Sequence, residues 1–348
     1  YLLGFGAPAD QSPARQGQAL AQRQKSHPDL PLPNSYRDLN ASPLLCRNMD
    51  ASCLLQQQEK RVAAEALVNR YQFLIDRYQT FLDFAYFSDN TPPRLDATFP
   101  EYSLLITASR LQSLAWALSD APEKNIDREI QQLRHWLAQD HSLISKMIAN
   151  AMLAEKLQLT ALLVQQGKMP TLRLAPLTTA EKSFQAPLQK EFAMMAHFFI
   201  DEQYRDGNEA ASWIEEIQFR AGLKKHISVN RMLPLYQYYA QLAEQPVDAI
   251  EADQFHPDPA SMSEAIRNPI GNVLLETASP DFKQYLLRLV HLDARMALLK
   301  QLDKTETDNP VNNPWTPGKE DTLTRRDKQL CFRHAPDHDR YNSCLPLL

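Results

Sequence analysis

The segment from Cys331 to Cys344 holds the densest set of groups able to do chemistry in this chain. Between these two thiols lie the imidazoles of His334 and His338. Two thiolates and two imidazoles are a ligand set that Zn²⁺ accepts. Most structural zinc sites, however, take two cysteines from a Cys-x2-Cys knuckle, and here twelve residues separate the cysteines. We therefore favour a disulfide-closed polar loop and predict no metal, with zinc ligation through His334 and His338 as the alternative.

A second pair of cysteines, Cys46 and Cys53, precedes the first long helical pattern. Six residues separate them, whereas a redox-active pair normally has two, so we predict a structural disulfide. The chain has four cysteines in all, and this even number favours an oxidising compartment, most simply the periplasm. Sequence alone does not fix the connectivity, and a cross pairing between the two ends of the chain stays open.

A further candidate for chemistry is the pair His197 and Asp201, which share one face of a helix at i, i+4. A carboxylate beside an imidazole can orient a general base or a metal ligand. The sequence contains no Glu-x-x-His, His-Glu-x-x-His or Gly-x-Ser-x-Gly motif. We interpret the pair as an ordinary helix-surface contact and predict no catalytic residue, although isolated side chains leave enzymatic activity open.

Aromatic and basic residues provide a candidate binding surface. It comprises Phe81, Phe84, Tyr86 and Phe87 at one helix end, Tyr236, Tyr238 and Tyr239 in a later helix, and Arg288, His291 and Arg295 in a third. The first group occupies more than one helix face, so some of its rings must leave the core of a single helix. The basic group forms one stripe that could receive an anionic head group or an acidic partner helix. Core packing of the rings and a solvated mixed-charge face are the simpler interpretations.

The composition excludes several classes of function. Only 8 of the 348 residues are glycine, and nucleotide-binding folds depend on glycines for close approach to phosphate. The net charge of −5 offers no basic excess for a phosphate backbone, so we predict no nucleic-acid partner and no cofactor. No run of 18 apolar residues occurs, and we expect a membrane to be reached only through an anchor or signal segment preceding Tyr1.

Hydrophobic periodicity predicts an all-α protein. Apolar residues recur three or four positions apart in segments 58–87, 100–118, 126–166, 179–204 and 280–304, as they do in amphipathic helices. No internal repeat of about 30–45 residues supports a regular solenoid. We therefore predict an irregular multi-helix bundle.

The domain organisation follows from shifts in composition and from proline clusters. We predict an extended lead over 1–43, an N-terminal helical lobe over 44–168, a C-terminal helical lobe over 169–309 and a disulfide-closed tail over 310–348. A lead packed as a loop on the domain surface is the alternative to an extended spacer. In the tail, 322–324 and 329–333 are typical of a small hairpin.

Four stretches carry a resemblance to known sequences: Tyr1–Pro8, Leu45–Leu54, Arg267–Leu275 and Asn313–Pro317. Together they resemble uncharacterised exported bacterial proteins that carry an N-terminal membrane anchor. The resemblance spans most of the chain and implies no catalytic residue. The anchored, helical steric chaperones of lipases are of similar size, but Arg77–Asp83 does not match their Arg-x-x-Phe-Asp-Tyr signature, so only an analogy of architecture remains.

The function expected from these features is protein binding. We predict an exported, non-catalytic helical module that binds another protein of the bacterial envelope as a chaperone, adaptor or inhibitor. A protein that binds a small apolar or lipid ligand between its helices is the first alternative. A hydrolase or metalloenzyme that uses His197 or the tail histidines is the second.

Overall fold

The computed structural model describes residues 1–23, 34–139, 142–201, 221–255, 258–278, 280–302, 310–336 and 343–348. Helices dominate these residues and confirm the predicted all-α class. After a short 3-10 turn, η1 (Leu2–Gly4), the described helices are α1 (Pro13–Arg23), α2 (Asn34–Asn40), α3 (Ala51–Glu59), α4 (Arg61–Arg70), α5 (Gln72–Leu82), α6 (Tyr102–Leu118), α7 (Glu123–Gln139), α8 (Leu143–Gln165), α9 (Thr179–Lys182), α10 (Gln185–Ile200), α11 (Lys225–Leu242), α12 (Val247–Ala252), α13 (Met262–Arg267), α14 (Pro269–Ala278) and α15 (Lys283–Leu299).

The central helix of the fold is α8. It packs against α6 and α7, which precede it, and against α10 and α15, which follow it. Its side chains Met152, Leu153 and Leu157 are fully buried. Among the described residues, α8 is the one helix long and apolar enough to cross a membrane, but 67% of its apolar window is buried inside the fold. The two predicted lobes thus share one hydrophobic core along α8, and the boundaries proposed for them remain predictions.

A buried polar network centred on Lys156 joins α8 to the helices before it. The Lys156 ammonium donates to the carbonyl oxygen of Ser109 at 2.7 Å and to the hydroxyl of Ser113 at 2.5 Å, and lies 3.1 Å from the carboxylate of Glu129. The Tyr78 hydroxyl donates to the same carboxylate at 2.5 Å. A buried charge is tolerated only when it is paired and hydrogen-bonded. The network therefore fixes the register of α5, α6 and α7 on α8.

Residues 169–184, between α8 and α10, are tied to α7 by Arg134. Its guanidinium donates to both carboxylate oxygens of Glu181, at 2.6 Å and 2.9 Å, and to the carbonyl oxygens of Ala175 and Pro176. A bidentate arginine–carboxylate pair fixes orientation as well as distance. The segment between the two predicted lobes is consequently fixed to the core by these hydrogen bonds.

The lead differs from the extended spacer that we predicted. Its described parts contain η1, α1 and α2, and Phe5 and Leu39 are buried in the core. Gly4 allows η1 to lie directly on α1, because a Cβ atom at Gly4 would stand 2.1 Å from the carbonyl oxygen of Pro13. Burial of these apolar side chains holds the lead against the body, which matches the alternative of a segment packed on the domain surface.

The tail folds as two small antiparallel sheets. One pairs β1 (Val311–Asn312) with β2 (Glu320–Asp321), and the other has the order β3 (Leu323–Arg326), β4 (Gln329–Phe332) and β5 (Leu345–Pro346). The predicted hairpin is confirmed by β3 and β4, which pair across a turn where Asp327 and Lys328 have φ of 48° and 58°. Two positive φ values are typical of the type I′ turn that joins strands through two residues.

All four cysteines are paired. Cys46 bonds Cys53 with a Cα–Cα distance of 6.2 Å, and Cys331 bonds Cys344 with a distance of 4.5 Å. These are the pairings that the sequence favoured, and the cross pairing is wrong. The first disulfide closes the turn before α3, and the second joins β4 to the segment that precedes β5. Two disulfides indicate an oxidising environment.

Candidate functional site

Three aromatic side chains meet where α5 ends beside α7. Phe81 is 2% exposed and Trp136 is 1% exposed. Their ring centroids lie 5.0 Å apart with the planes at 88°, the edge-to-face arrangement that aromatic quadrupoles favour. Phe87 completes the group, 5.3 Å from Phe81 and 6.0 Å from Trp136. Together they form a packed apolar floor, here called the aromatic floor.

Above the aromatic floor, two further rings face solvent. α5 ends at Leu82, so the side chains after it no longer follow the helical periodicity that directs apolar residues into the core. Phe84 is 42% exposed and Tyr86 is 84% exposed. The ring of Tyr1 meets that of Phe84 edge-on, at a centroid distance of 5.1 Å. These two exposed residues, Phe84 and Tyr86, are here called the aromatic rim.

The segment between α5 and α6 is positioned by side chains of α7. A ring nitrogen of His135 lies 2.8 Å from the carbonyl oxygen of Ala85, and the amide of Phe87 donates to the side-chain oxygen of Gln139 at 3.1 Å. Residues 88–100 then continue without regular secondary structure to α6. The aromatic floor and rim are therefore held to α7 by directed bonds as well as by packing.

The lead supplies the opposite wall, and Arg77 on α5 holds it there. Its guanidinium donates to the carbonyl oxygens of Phe5, Ala7, Pro8 and Gln11 at 3.1, 2.6, 2.7 and 2.9 Å. Arginine is suited to this role because its fixed fork carries five donors. Arg77 consequently adds four hydrogen bonds to the apolar packing that holds this wall in place.

A cleft of about 560 Å³ lies between the lead on one side and the aromatic floor and rim on the other. Its aromatic lining residues are Tyr1, Phe81, Phe84, Tyr86, Phe87, Tyr102 and Trp136. Leu2, Leu3 and Leu20 line the side formed by the lead. Small-molecule sites typically have volumes of about 300–1,000 Å³ and mostly apolar walls. The cleft has the size and the chemistry of such a site.

The charged residues of the cleft lining are Asp89, Arg94 and Asp96. Arg94 donates to both carboxylate oxygens of Asp96, at 2.8 Å and 2.7 Å. Asp89 pairs with Lys190 of α10 at 2.7 Å and accepts from the amide of Thr91 at 2.9 Å. Burial alone would raise the pKa of Asp89, but the hydrogen bonds from Lys190 and Thr91 outweigh it and lower the pKa, so the carboxylate stays ionised.

The first predicted aromatic group lies together at this cleft. Phe81, Phe84, Tyr86 and Phe87 all contribute to its lining. Their role in binding remains a prediction, but their convergence supports treating them as one site. The rings divide as the sequence suggested, with Phe81 in the core and Tyr86 in solvent.

The second predicted aromatic group does not offer a surface. Tyr236 and Tyr239 are buried, and both pack on Phe282, at centroid distances of 5.1 Å and 5.6 Å. Tyr238 is half-buried and donates to Asp253 at 2.5 Å. The prediction of a binding surface is corrected here to core packing of α11 against Phe282, the residue before α15, because Tyr236 and Tyr239 are buried in that contact.

The predicted basic stripe on α15 is also a packing face. His291 is buried, with Nδ1 2.8 Å from the Ser343 hydroxyl and its ring 4.7 Å from that of Trp315. Arg288 and Arg295 are half-buried on the same helix. His291, the middle residue of the stripe, is therefore corrected from part of an open docking face to a contact with the tail, which its helical spacing alone could not reveal.

The two described histidines that were proposed for chemistry, His197 and His334, pair with different carboxylates. His197 Nδ1 lies 3.5 Å from Asp201, and His334 Nδ1 lies 2.7 Å from Asp321. His338 lies outside the described residues. The thiols of the zinc alternative are joined to each other, and the described part of the chain contains no group of three or more His, Cys, Asp or Glu side chains placed to hold a metal.

Sequence reasoning missed Tyr1 and Trp136, which line the cleft, and Arg77, which holds the lead beside it. A signal existed for Arg77, which stands on the buried face of α5 between Leu74 and Phe81, where an arginine needs partners. No local signal joins Tyr1 or Trp136 to the rim. Comparisons of the chain with family models, with curated proteins and with solved structures found no match.

Proposed function

We propose that this protein is a non-catalytic binding protein that takes an apolar ligand into the aromatic cleft. The observation that carries the proposal is the convergence of Phe81, Phe84, Tyr86 and Phe87 with Trp136 around one cleft of about 560 Å³. The packed floor gives the cleft a fixed shape, and the exposed rim gives it an entrance. Binding in a preformed site avoids the cost of ordering side chains.

The compartment forms part of the proposal. Two disulfides support an oxidising environment. We place the protein in the bacterial envelope, on the periplasmic side, where small apolar molecules must be carried through water.

The test of this proposal is binding of the neutral fluorophore N-phenyl-1-naphthylamine. We expect saturable binding to the intact protein, and a Kd at least tenfold weaker for the double variant Phe84→Ala/Tyr86→Ala, since each factor of ten is about 1.4 kcal/mol of lost contact. The matched control is Val62→Ala on α4, which removes an 83% exposed apolar side chain that does not line the cleft.

Two results would overturn the proposal. One is the absence of saturable binding to the intact protein. The other is a double variant that binds the fluorophore as tightly as the Val62→Ala control, because the ligand would then lie elsewhere.

A second candidate function is binding of a partner protein, the function that we expected first from the sequence. The exposure of the aromatic rim favours it, because aromatic residues are enriched in the buried centres of protein interfaces. A pull-down from envelope extracts under non-reducing conditions tests it with two baits, the intact protein and the Tyr86→Ala variant. Recovery of one stoichiometric partner by the intact protein alone would support binding through the aromatic rim, and equal recovery by both baits would refute the role of the rim. Recovery of no stoichiometric partner by the intact protein would refute this function.

A further inference from the structure

The charges around the cleft cancel in pairs. Arg94 and Asp96 are two positions apart and share two hydrogen bonds, so their side chains present a neutral unit to the cleft. Asp89 is neutralised by Lys190, which also donates to the Asp89 carbonyl oxygen at 3.1 Å. Counted with Lys190, which does not itself line the cleft, the two carboxylates meet two cations, so the charged side chains in and beside the lining sum to zero.

A charged ligand would meet two obstacles in this cleft. Its ionised group would lose water against aromatic walls, and the cations or carboxylates able to replace that water are already bonded to each other. Breaking one of these pairs would leave its other member without that partner in a partly desolvated place. Neither obstacle applies to an uncharged molecule.

Uncharged polar groups are also present in the lining. Asn90, Thr98 and Ser145 belong to it, alongside the aromatic floor and rim. Side-chain hydroxyls and amides can bond an alcohol, ether or carbonyl oxygen of a ligand without any ionised group. The lining therefore matches a molecule with an apolar body and an uncharged polar end.

We infer that the cleft selects neutral ligands, with an aromatic or aliphatic body and no ionised group, over anions of the same shape. This inference rests on the proposed function and specifies the ligand class of the same site. The selectivity arises from the Arg94–Asp96 and Lys190–Asp89 pairs, which leave the cleft electrically balanced.

Two fluorophores that differ by one charge test the inference. N-phenyl-1-naphthylamine is neutral, and 8-anilino-1-naphthalenesulfonate carries the same two ring systems with an added sulfonate. We expect the neutral probe to bind the intact protein at least tenfold more tightly than the anionic probe. Equal affinities, or tighter binding of the anion, would refute the selectivity while leaving the proposed function standing.

Variants of the ion pair assign the cause. Asp96→Asn keeps the shape of the side chain but removes the carboxylate opposite Arg94, so the anionic probe should gain at least threefold in affinity while the neutral probe changes little. Arg94→Gln leaves Asp96 as an added negative charge and should weaken the anionic probe further. The control, Glu65→Gln, removes the carboxylate of an Arg61–Glu65 pair that does not line the cleft.

The outcomes distinguish the proposed function from the proposed selectivity. If neither probe binds the intact protein, both the proposed function and the selectivity are refuted. If the neutral probe is preferred but Asp96→Asn and Arg94→Gln leave the preference unchanged relative to Glu65→Gln, the assignment to the ion pair is wrong.

Discussion

The guanidinium of Arg77 donates a 2.6 Å hydrogen bond to the carbonyl oxygen of Ala7, 70 residues earlier in the chain. Arg77 lies on α5, the helix whose end supplies Phe81 and leads to Phe84. One helix therefore makes one wall of the cleft and holds the other. This arrangement couples the stability of the lead to the shape of the candidate site.

Replacement of Arg77 by Lys should release the lead. A lysine ammonium has three donors without the fixed fork, so it cannot reach all four carbonyl oxygens. We expect the free energy of unfolding to fall by about 2–4 kcal/mol, the worth of one or two lost bonds to a charged group. Urea denaturation measures this loss, and limited proteolysis should show earlier cleavage within residues 1–23.

The control for this prediction is Arg61→Lys, an exposed arginine in an i, i+4 pair on α4. Its free energy of unfolding should change by less than about 0.5 kcal/mol. If Arg77→Lys were as mild as Arg61→Lys, the four carbonyl bonds would not hold the lead.

The buried pair Lys156 and Glu129 should behave as one unit. Lys156→Met leaves the carboxylate of Glu129 buried without its cation, which costs about 3–5 kcal/mol of stability. Adding Glu129→Gln removes that charge and keeps an oxygen acceptor for the Tyr78 hydroxyl, so the double variant should be more stable than the single one. A double-mutant cycle in urea measures the coupling. Simple additivity of the two single changes would contradict the prediction.

Acid should loosen the tail through Asp321. Burial alone would raise the pKa of this carboxyl, but hydrogen bonds from the His334 ring and amide, the Thr322 amide and Asn313 outweigh it and lower the pKa. Because the folded pKa lies below the unfolded value of about 3.9, the stabilisation is present above that value and is lost as the pH falls through the folded pKa.

The protection factors of the β3 and β4 amides, which compare the intrinsic exchange rate with the observed rate at the same pH, should therefore fall below about pH 4. Asp321→Asn should remove this acid-dependent step. Asp248→Asn, at an exposed position on α12, should retain it. An unchanged pH profile in Asp321→Asn would assign the acid response to other groups.

The disulfides predict a definite thiol count. The purified protein should show no free thiol before reduction and four after denaturation and reduction, since all four cysteines are paired. Replacing Cys331 and Cys344 by Ser should lower stability by about 3 kcal/mol, the loop-entropy estimate for a ring of this length. Free thiols in protein isolated without reductant would count against both the pairing and the oxidising compartment.

Local patterns in the sequence predicted those features that depend on neighbouring residues. Thr178 and Glu181 are three positions apart, the spacing of a capping box, and they form one. The crowding of aromatic residues in Phe81–Phe87 predicted rings outside the core, and Phe84 and Tyr86 are exposed, but they lie beyond the end of α5 at Leu82 rather than on further faces of the helix. Each inference needed only a few consecutive residues.

Local sequence patterns could not predict features that depend on packing between residues far apart in the sequence. The basic stripe of α15 has the spacing of a docking face, but Trp315 and Ser343, 24 and 52 residues beyond His291, contact that histidine and bury it. Trp136 contacts Phe81 across more than 50 residues of sequence, so no local pattern could have predicted this contact either. Helical periodicity shows which face is apolar or charged, and only the fold shows what lies against it.

The central position of α8 determines when folding can finish. Gln165, at the end of α8, donates to the carbonyl oxygen of Pro346 at 2.9 Å across 181 residues, and α15 packs along the same helix. Contacts at such separation form slowly, because a long stretch of chain must first be brought together. During synthesis, part of an apolar helix therefore stays uncovered until residue 346 has been made. The core cannot close before that point, and the nascent chain is prone to aggregation until then.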